Sequence, residues 1–185
     1  MTLYSLIFMN QLKCTICENP NVVLQDKKMD LYYCSNCDHC LTNAEEDPNL
    51  YHEMYFSEER QNWFKHPDFD LYEIIYQNII SLVPPPMKIL DIGCGNGNFL
   101  KFLKKKEKPM ELTGIDLSEN FYPGIKFIKA DYNSFEIKDK FDVITNFMVI
   151  EHIKDVHSFI KKFISNSNDR NSWLIINTIN NNSLI

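Results

Sequence analysis

The apolar positions of the chain fall into short, differently spaced groups, and the spacing changes along its length. "PDFDLYEIIYQNIISLV" at 67–83 repeats Leu71, Ile74, Ile75, Ile79 and Ile80 at helical intervals. Asp68 and Asp70 stand near its start, where the helix dipole favours acids, and Pro84 to Pro86 end it. "MKILDIG" at 87–93 has the pattern of a buried strand. A glycine-rich turn follows, then "NFLKFLKKK" at 98–106, a helix with lysines at its C-terminal end. "KDVHSFIKKFI" at 154–164 predicts another helix, with Val156, Phe159, Ile160, Phe163 and Ile164 on one stripe. Nearer the start, "VVL" and "LYY" flank the polar "QDKKMD" and predict a short hairpin. The stretch between, 41–66, is polar with many aromatics (Tyr51, Tyr55, Phe56, Trp63, Phe64), so it packs on something rather than serving as a bare linker.

Composition changes this picture little. A chain of 185 residues has room for one domain with a small module beside it. A net charge of −6 argues against a nucleic-acid surface, which needs a basic face. The densest basic run, "KKKEK" at 104–108, reads as the charged end of a helix. No apolar run approaches about 18 residues, and the apolar start "MTLYSLIFMN" lacks the cationic region and cleavage site of a secretion signal. The expectation is a cytoplasmic protein without a membrane partner.

The cysteines matter more. Five of the six lie between residues 14 and 40, as "CTIC" (14–17), "CSNC" (34–37) and "DHC". Each CxxC turn aims two thiolates at one ion, and two such turns complete a tetrahedron around Zn²⁺. Disulfides and a redox CxxC are the alternatives, and the lack of a secretion signal disfavours them. The expected ligands are Cys14, Cys17, Cys34 and Cys37, with His39 and Cys40 spare. With all four positions filled by protein, the zinc is structural, holding a ribbon at 10–45 too small to fold on its core alone.

The turn in "ILDIGCGNGNFL" (89–100) sits between strand and helix, as a nucleotide-binding turn requires. A P-loop needs Gly-Lys-Ser/Thr where this chain has Gly97-Asn98-Phe99, so it is excluded. The dinucleotide fingerprint needs a third glycine where Asn98 stands. Asp91 would repel a pyrophosphate and suits a ligand with a cationic amino group and no phosphate. S-adenosylmethionine (SAM) is such a ligand. "ILDIGCGNG" resembles the first motif of class I SAM-dependent methyltransferases, and the resemblance extends over roughly 46–180.

That resemblance implies an α/β fold, a Rossmann-like doubly wound sheet, with a small zinc ribbon before it. "ELTGIDLS" (111–118), "IKFIKADY" (125–132), "FDVITNF" (141–147) and "SWLIINTI" (172–179) match the strands that follow in order. Residues 46–83 become a lid and lead helix, and 84–185 the SAM-binding domain. The cofactor residues implied are Asp91, Gly93, Cys94, Gly95 and Gly97 in the turn, with Asp116 and Leu117 about 20 residues beyond, where an acid reaches both ribose hydroxyls. Asp131 and Tyr132 are placed at the adenine, and Asn146, with Phe147, beside the methionine portion. His152, in "IEH", is the candidate general base. Met148 stands where RNA 3′-end methyltransferases have the first Glu of their metal site, which removes that ligand.

A zinc ribbon, a "YHEMYF" segment (51–56) and "ILDIGCG" together resemble bacterial enzymes that methylate nucleotide-linked sugars or polysaccharide precursors, with Tyr55 in a lid. The implied acceptor is therefore a small, sugar-linked molecule. An RNA methyltransferase with an N-terminal zinc site is a weaker comparison, given the charge. Two departures stand out. Only "LSENFYPG" separates Asp116 from the next strand, too short for the usual crossover helix. The last two of the family's seven strands are not represented, which predicts an exposed apolar edge at "WLIINTI". That edge motivates a second reading, a degenerate, non-catalytic subunit that pairs with itself or a partner there.

Overall fold

A computed structural model describes residues 12–43, 64–168 and 171–180. The chain divides into two compact units, Met1–Asp47 and Pro48–Ile185. The first holds three antiparallel strands, β1 (Val23–Asp26), β2 (Leu31–Cys34) and β3 (His39–Thr42), in the order β1-β2-β3. The β1–β2 hairpin is as the polar "QDKKMD" predicts. Its tip is closed by the Asp26 carboxylate, which accepts from the amides of Lys28 (2.7 Å) and Met29 (3.0 Å). The third strand, "HCLT", carries too short an apolar run to announce itself.

The second unit runs α1 (Phe69–Leu82), β4 (Met87–Ile92), α2 (Asn98–Lys104), β5 (Met110–Asp116), β6 (Lys126–Lys129), β7 (Val143–Phe147), α3 (Val156–Asn166) and β8 (Trp173–Asn177). The five strands form one parallel sheet in the order β6-β5-β4-β7-β8. The α/β, Rossmann-like class expected from the sequence is the one observed. Successive β4 residues serve opposite faces. Met87 and Ile89 join a core with Ile75 and Ile79 of α1 and Leu100 and Leu103 of α2. Leu90 and Ile92 join another with Phe159 and Phe163 of α3. This explains why apolar residues occupy both faces of β4 past the exposed Lys88, since the strand is covered on either side.

Two helical stripes need correction. In α1, Ile74 is 60% exposed, and Tyr76 takes the buried place beside Ile75 and Ile79. In α3, Ile164 is 65% exposed, and Asn166 is buried instead. Both helices are capped at their N-termini: the Asp68 carboxylate accepts from the Leu71 amide and that of Asp155 from the Ser158 amide, each at 2.9 Å. The β5–β6 connection contains no helix and closes through a turn in which Ile125 N donates to Tyr122 O (3.1 Å) and Gly124 is left-handed. At the opposite edge, β8 leaves Trp173 and Ile176 exposed. No helix among the described residues is long and apolar enough to cross a membrane.

Candidate cofactor site and cysteine cluster

In the first unit the two CxxC turns bring Cys14, Cys17, Cys34 and Cys37 together, with all four sulfurs within 4.8 Å of one another. The Cys14–Cys37 and Cys17–Cys34 sulfurs are 3.6 and 3.5 Å apart. A disulfide would need about 2 Å, whereas four thiolates at about 2.3 Å from one zinc are spaced about 3.8 Å apart. The Asn36 side chain, then the Asn19 backbone, push the Cys17 thiol down to about 6, and burial pushes Cys37 up to about 12. His39 turns its Nε2 to Thr15 Oγ1 (3.2 Å) and Cys40 donates to Gln25 Oε1 (3.5 Å), so both stand apart from the four.

In the second unit the sequence-predicted residues converge where β4, β5, β6 and β7 end. Gly93, Gly95 and Gly97 all have left-handed φ. At Gly93 a Cβ would lie 2.2 Å from Val149 Cγ2, and at Gly97 one would lie 2.7 Å from the Phe127 ring. Both positions therefore need glycine twice over, for φ and for space. Cys94 packs at Gly114, and burial, then Asp91 and Asp116, push its thiol far up, so it stays neutral.

Asp116, at the end of β5, is tied to the turn. Its Oδ2 accepts from the Gly95 amide (2.9 Å) and its Oδ1 from the Ser118 amide (2.8 Å) and hydroxyl (2.7 Å). Asn120 Nδ2 donates to Gly95 O at 2.5 Å, so the helix-free connection is pinned to the turn. Leu117 is about half exposed beside it.

Asp91 is 2% exposed, and burial is the main cause that pushes its carboxyl up to about 7. The Thr145 hydroxyl donates to its Oδ1 at 2.7 Å and lowers it somewhat, while the Asp116 charge raises it. Among the described residues no ion pair reaches Asp91, and Thr145 is its one hydrogen-bond partner. Asn146, also buried, donates to Ile92 O (3.3 Å), and its Oδ1 is sealed without a partner. Phe147 meets Phe99 edge-on (5.0 Å), and Phe99 meets Tyr72 (5.2 Å). Burial, then Asp91, push the Tyr72 hydroxyl up to about 12.

Asp131 is exposed past the end of β6, its Oδ1 accepting from the Asn133 amide (2.9 Å). The Tyr132 side chain points into the core. Its hydroxyl donates to Asn166 Oδ1 (3.0 Å) and its ring meets Phe159, leaving the backbone as the part of Tyr132 that a ligand can meet. Lys162 of α3 donates to the carbonyls of Tyr132, Asn133 (3.0 Å) and Phe135 (2.8 Å) and holds this segment in place. His152 is exposed in a 3₁₀ turn, Ile150–His152. Its neighbour Glu151 accepts from Thr178 Oγ1 at 2.9 Å. Tyr55 and the 51–56 segment lie outside the described residues.

Sequence reasoning missed Thr145, Ser118, Asn120 and Lys162. The signal for Thr145 was present: two polar residues, Thr145 and Asn146, interrupt an apolar strand where it pairs with Asp91 and Ile92.

An open parallel sheet with a glycine turn after its central strand and acids at the carboxyl ends defines a Rossmann-like fold that binds ligands at that edge. Comparison with known proteins gives the family. The sequence pattern of the methyltransferase domain matches residues 57–184, and the chain belongs to that family. It is 34% identical over 76 residues to the malonyl-[acyl-carrier protein] O-methyltransferase of Calditerrivibrio nitroreducens, covering 40% of this chain and 31% of that one. It is 34% identical over 110 residues to the ubiquinone biosynthesis O-methyltransferase of Pelagibacter ubique, covering 51% and 42%. The chain thus spans between 21% and 42% of the length of these and similar curated relatives. The N-methyltransferase NodS of Bradyrhizobium japonicum, solved with S-adenosylhomocysteine (SAH), shares the fold with a TM-score of 0.52 at 14% identity, over 65% of this chain and 67% of that one.

Proposed function

We propose that this chain binds SAM at the carboxyl edge of its sheet and transfers the methyl group to a small-molecule acceptor. The observation that carries the reading is Asp91, a buried carboxylate that meets one neutral hydrogen-bond donor and no cation among the described residues, beside a turn in which Gly93 and Gly97 leave no room for a Cβ. Such a group calls for a cationic ligand. Membership of the methyltransferase domain family supports the reaction class.

The residues fit the cofactor. Asp91 receives its ammonium, and the Asp116 carboxylate, already fixed by Gly95 and Ser118, keeps lone pairs for the ribose hydroxyls. Leu117 lines the nucleoside, Asp131 and the Tyr132 backbone meet the adenine edge, and the unpaired Asn146 Oδ1 serves the methionine end. Bound SAM supplies a methyl group on a sulfonium, with neutral sulfur as leaving group. The protein's part is alignment and exclusion of water by the Tyr72, Phe99 and Phe147 rings. His152 accepts the acceptor's proton at its imidazole.

The acceptor we infer is a nucleotide-linked sugar, on the likeness of the ribbon, the "YHEMYF" segment and "ILDIGCG" to bacterial enzymes of that kind. The ribbon at 10–45 holds a structural Zn²⁺ through Cys14, Cys17, Cys34 and Cys37. Helix α1 leads into the SAM-binding domain at 84–185, and the lid expected within 46–83 falls largely on 46–63, outside the described residues. Reduced thiols suit a cytoplasmic setting. A second reading, association through the exposed β8 edge, is favoured by Trp173 and Ile176.

Calorimetric titration with SAH tests the cofactor reading. Binding is expected, and Asp116→Asn, which keeps the shape but not the charge, should weaken it about tenfold or more, as for a lost charge-assisted hydrogen bond. A folded protein that takes up no SAH overturns it.

A further inference from the structure

Asp91 and Thr145 are direct partners across the β4–β7 pairing. Their side chains therefore emerge next to each other on one face of the sheet, by register alone. The Thr145 side chain is fully buried. Its single hydroxyl proton is committed to Asp91 Oδ1 at 2.7 Å, with Leu90 O the more distant alternative at 3.4 Å. Valine is the residue that would ordinarily fill such a place, since it has the same shape and a higher strand preference. The hydroxyl is there for the carboxylate.

It fixes one oxygen and leaves the other. Asn146 Oδ1 is the one sealed, partnerless side-chain atom among the described residues. Among the described residues Thr145 is the one side chain that reaches the Asp91 carboxylate, and it does so at Oδ1. Oδ1 is thus held by the protein, which leaves Oδ2 as the oxygen a ligand would meet.

We propose that Thr145 is a positioning residue that makes SAM capture proton-linked: its hydroxyl holds the Asp91 carboxylate ionised and oriented for the cofactor's ammonium. The inference rests on the reading of Asp91 given above.

Among the described residues, the groups around Asp91 leave it alone in titrating near neutrality. Asp116, at the end of the adjacent β5, is the charge that opposes its ionisation. Tyr72 from α1 and Cys94 from the turn both feel the Asp91 charge, and both are held protonated and neutral, the phenol at about 12 and the thiol higher still. With its carboxyl pushed to about 7, Asp91 is partly protonated at neutral pH and must lose that proton to take up an ammonium. Affinity therefore falls as pH falls through neutrality. Without the Thr145 hydroxyl the carboxyl rises further, and the loss of affinity begins at a higher pH.

The test is SAH titration calorimetry of the full chain between pH 6 and 8.5, in buffers of different ionisation enthalpy, for wild type, Thr145→Val and Thr145→Ser. Wild type should bind tighter as pH rises and release protons near pH 7. The Val variant, isosteric and checked for folding by circular dichroism, should bind several-fold more weakly at pH 7 and approach wild type at pH 8.5. The Ser variant should restore the wild-type profile. Carboxyl ¹³C NMR of the ligand-free protein should show the Asp91 midpoint near neutrality, displaced upward by Thr145→Val. Affinity that is flat with pH and releases no proton overturns the proposal, as does a Val variant weakened equally at every pH. An Asp91 midpoint that titrates as inferred, with no SAH bound at any pH, would instead overturn the SAM reading and, with it, this one.

Discussion

A buried carboxylate with no cation beside it is a group the fold would be more stable without. The rise of Asp91 from an ordinary 3.8 to about 7 means its ionised form is disfavoured by about 4 kcal/mol in the folded, ligand-free chain. The sign follows from linkage. Stability is greatest below about pH 4, where the group is neutral folded and unfolded, and is lost as pH rises toward 7. Asp91→Asn should therefore raise the melting temperature at pH 8 and leave it little changed at pH 4, while abolishing SAH binding. Thermal melts across that range check it, and an Asn variant less stable at pH 8 would count against an unpaired carboxylate. The position of Asp91 was legible in the sequence, because two residues before the first glycine is a fixed distance along a strand. Its isolation was not, since burial and the lack of a cation belong to the packed molecule. Thr145 hid for a similar reason: a threonine in "DVITNF" reads as a β-branched strand former, and only the register shows what its hydroxyl meets.

Among the elements, the helices were found by periodicity but misjudged in detail. Ile74 of α1 falls on the predicted stripe yet stays exposed, because Tyr76 fills the groove instead and meets Phe102 edge-on. In α3 the apolar stripe drew attention away from its polar work. Lys162 gathers the carbonyls of Tyr132, Asn133 and Phe135, and Asn166 donates to Ile137 O (2.8 Å) and accepts from the Tyr132 hydroxyl. Nothing in "SFIKKFISN" distinguishes Lys162 from Lys161, since both read as solvated charge. Their difference is one of helical phase against a loop that arrives from elsewhere. Burial lowers the Lys162 ammonium below its usual range, as befits a cation satisfied by carbonyls more than by water. Lys162→Met keeps an unbranched side chain and removes the three donors together with the ammonium that stands 4.9 Å from the Tyr132 ring centroid. It should speed amide exchange across 131–137 and weaken SAH binding, with Lys161→Met as the neutral comparison. Equal exchange in the two variants would show that the lysine does not hold the segment.

For the whole molecule, two units means two separate sources of stability. The first has only three short strands, and Cys14, Cys34 and Leu41 are its buried apolar residues among those described. So small a core needs a staple, and the four thiols supply ligands for one. Zinc analysis should find about one ion per chain. A strong chelator should unfold residues 12–43, seen as loss of amide protection, while the sheet unit keeps its melting temperature. Zinc far below one per folded chain would remove the staple. The CxxC spacing made this module readable from sequence, whereas the edges of the large sheet were legible only in outline. The strand β6 illustrates what that outline omits. It is four residues long, pairs only with β5, and is reached through a connection that has no helix to cover it. Such a strand opens at a small fraction of the free energy that unfolds the sheet. Asp131 rides just past its end, so the affinity of any ligand that relies on Asp131 depends on how firmly this edge is held as well as on contact. Whatever stiffens the margin from elsewhere, as Lys162 does, acts on the ligand without touching it.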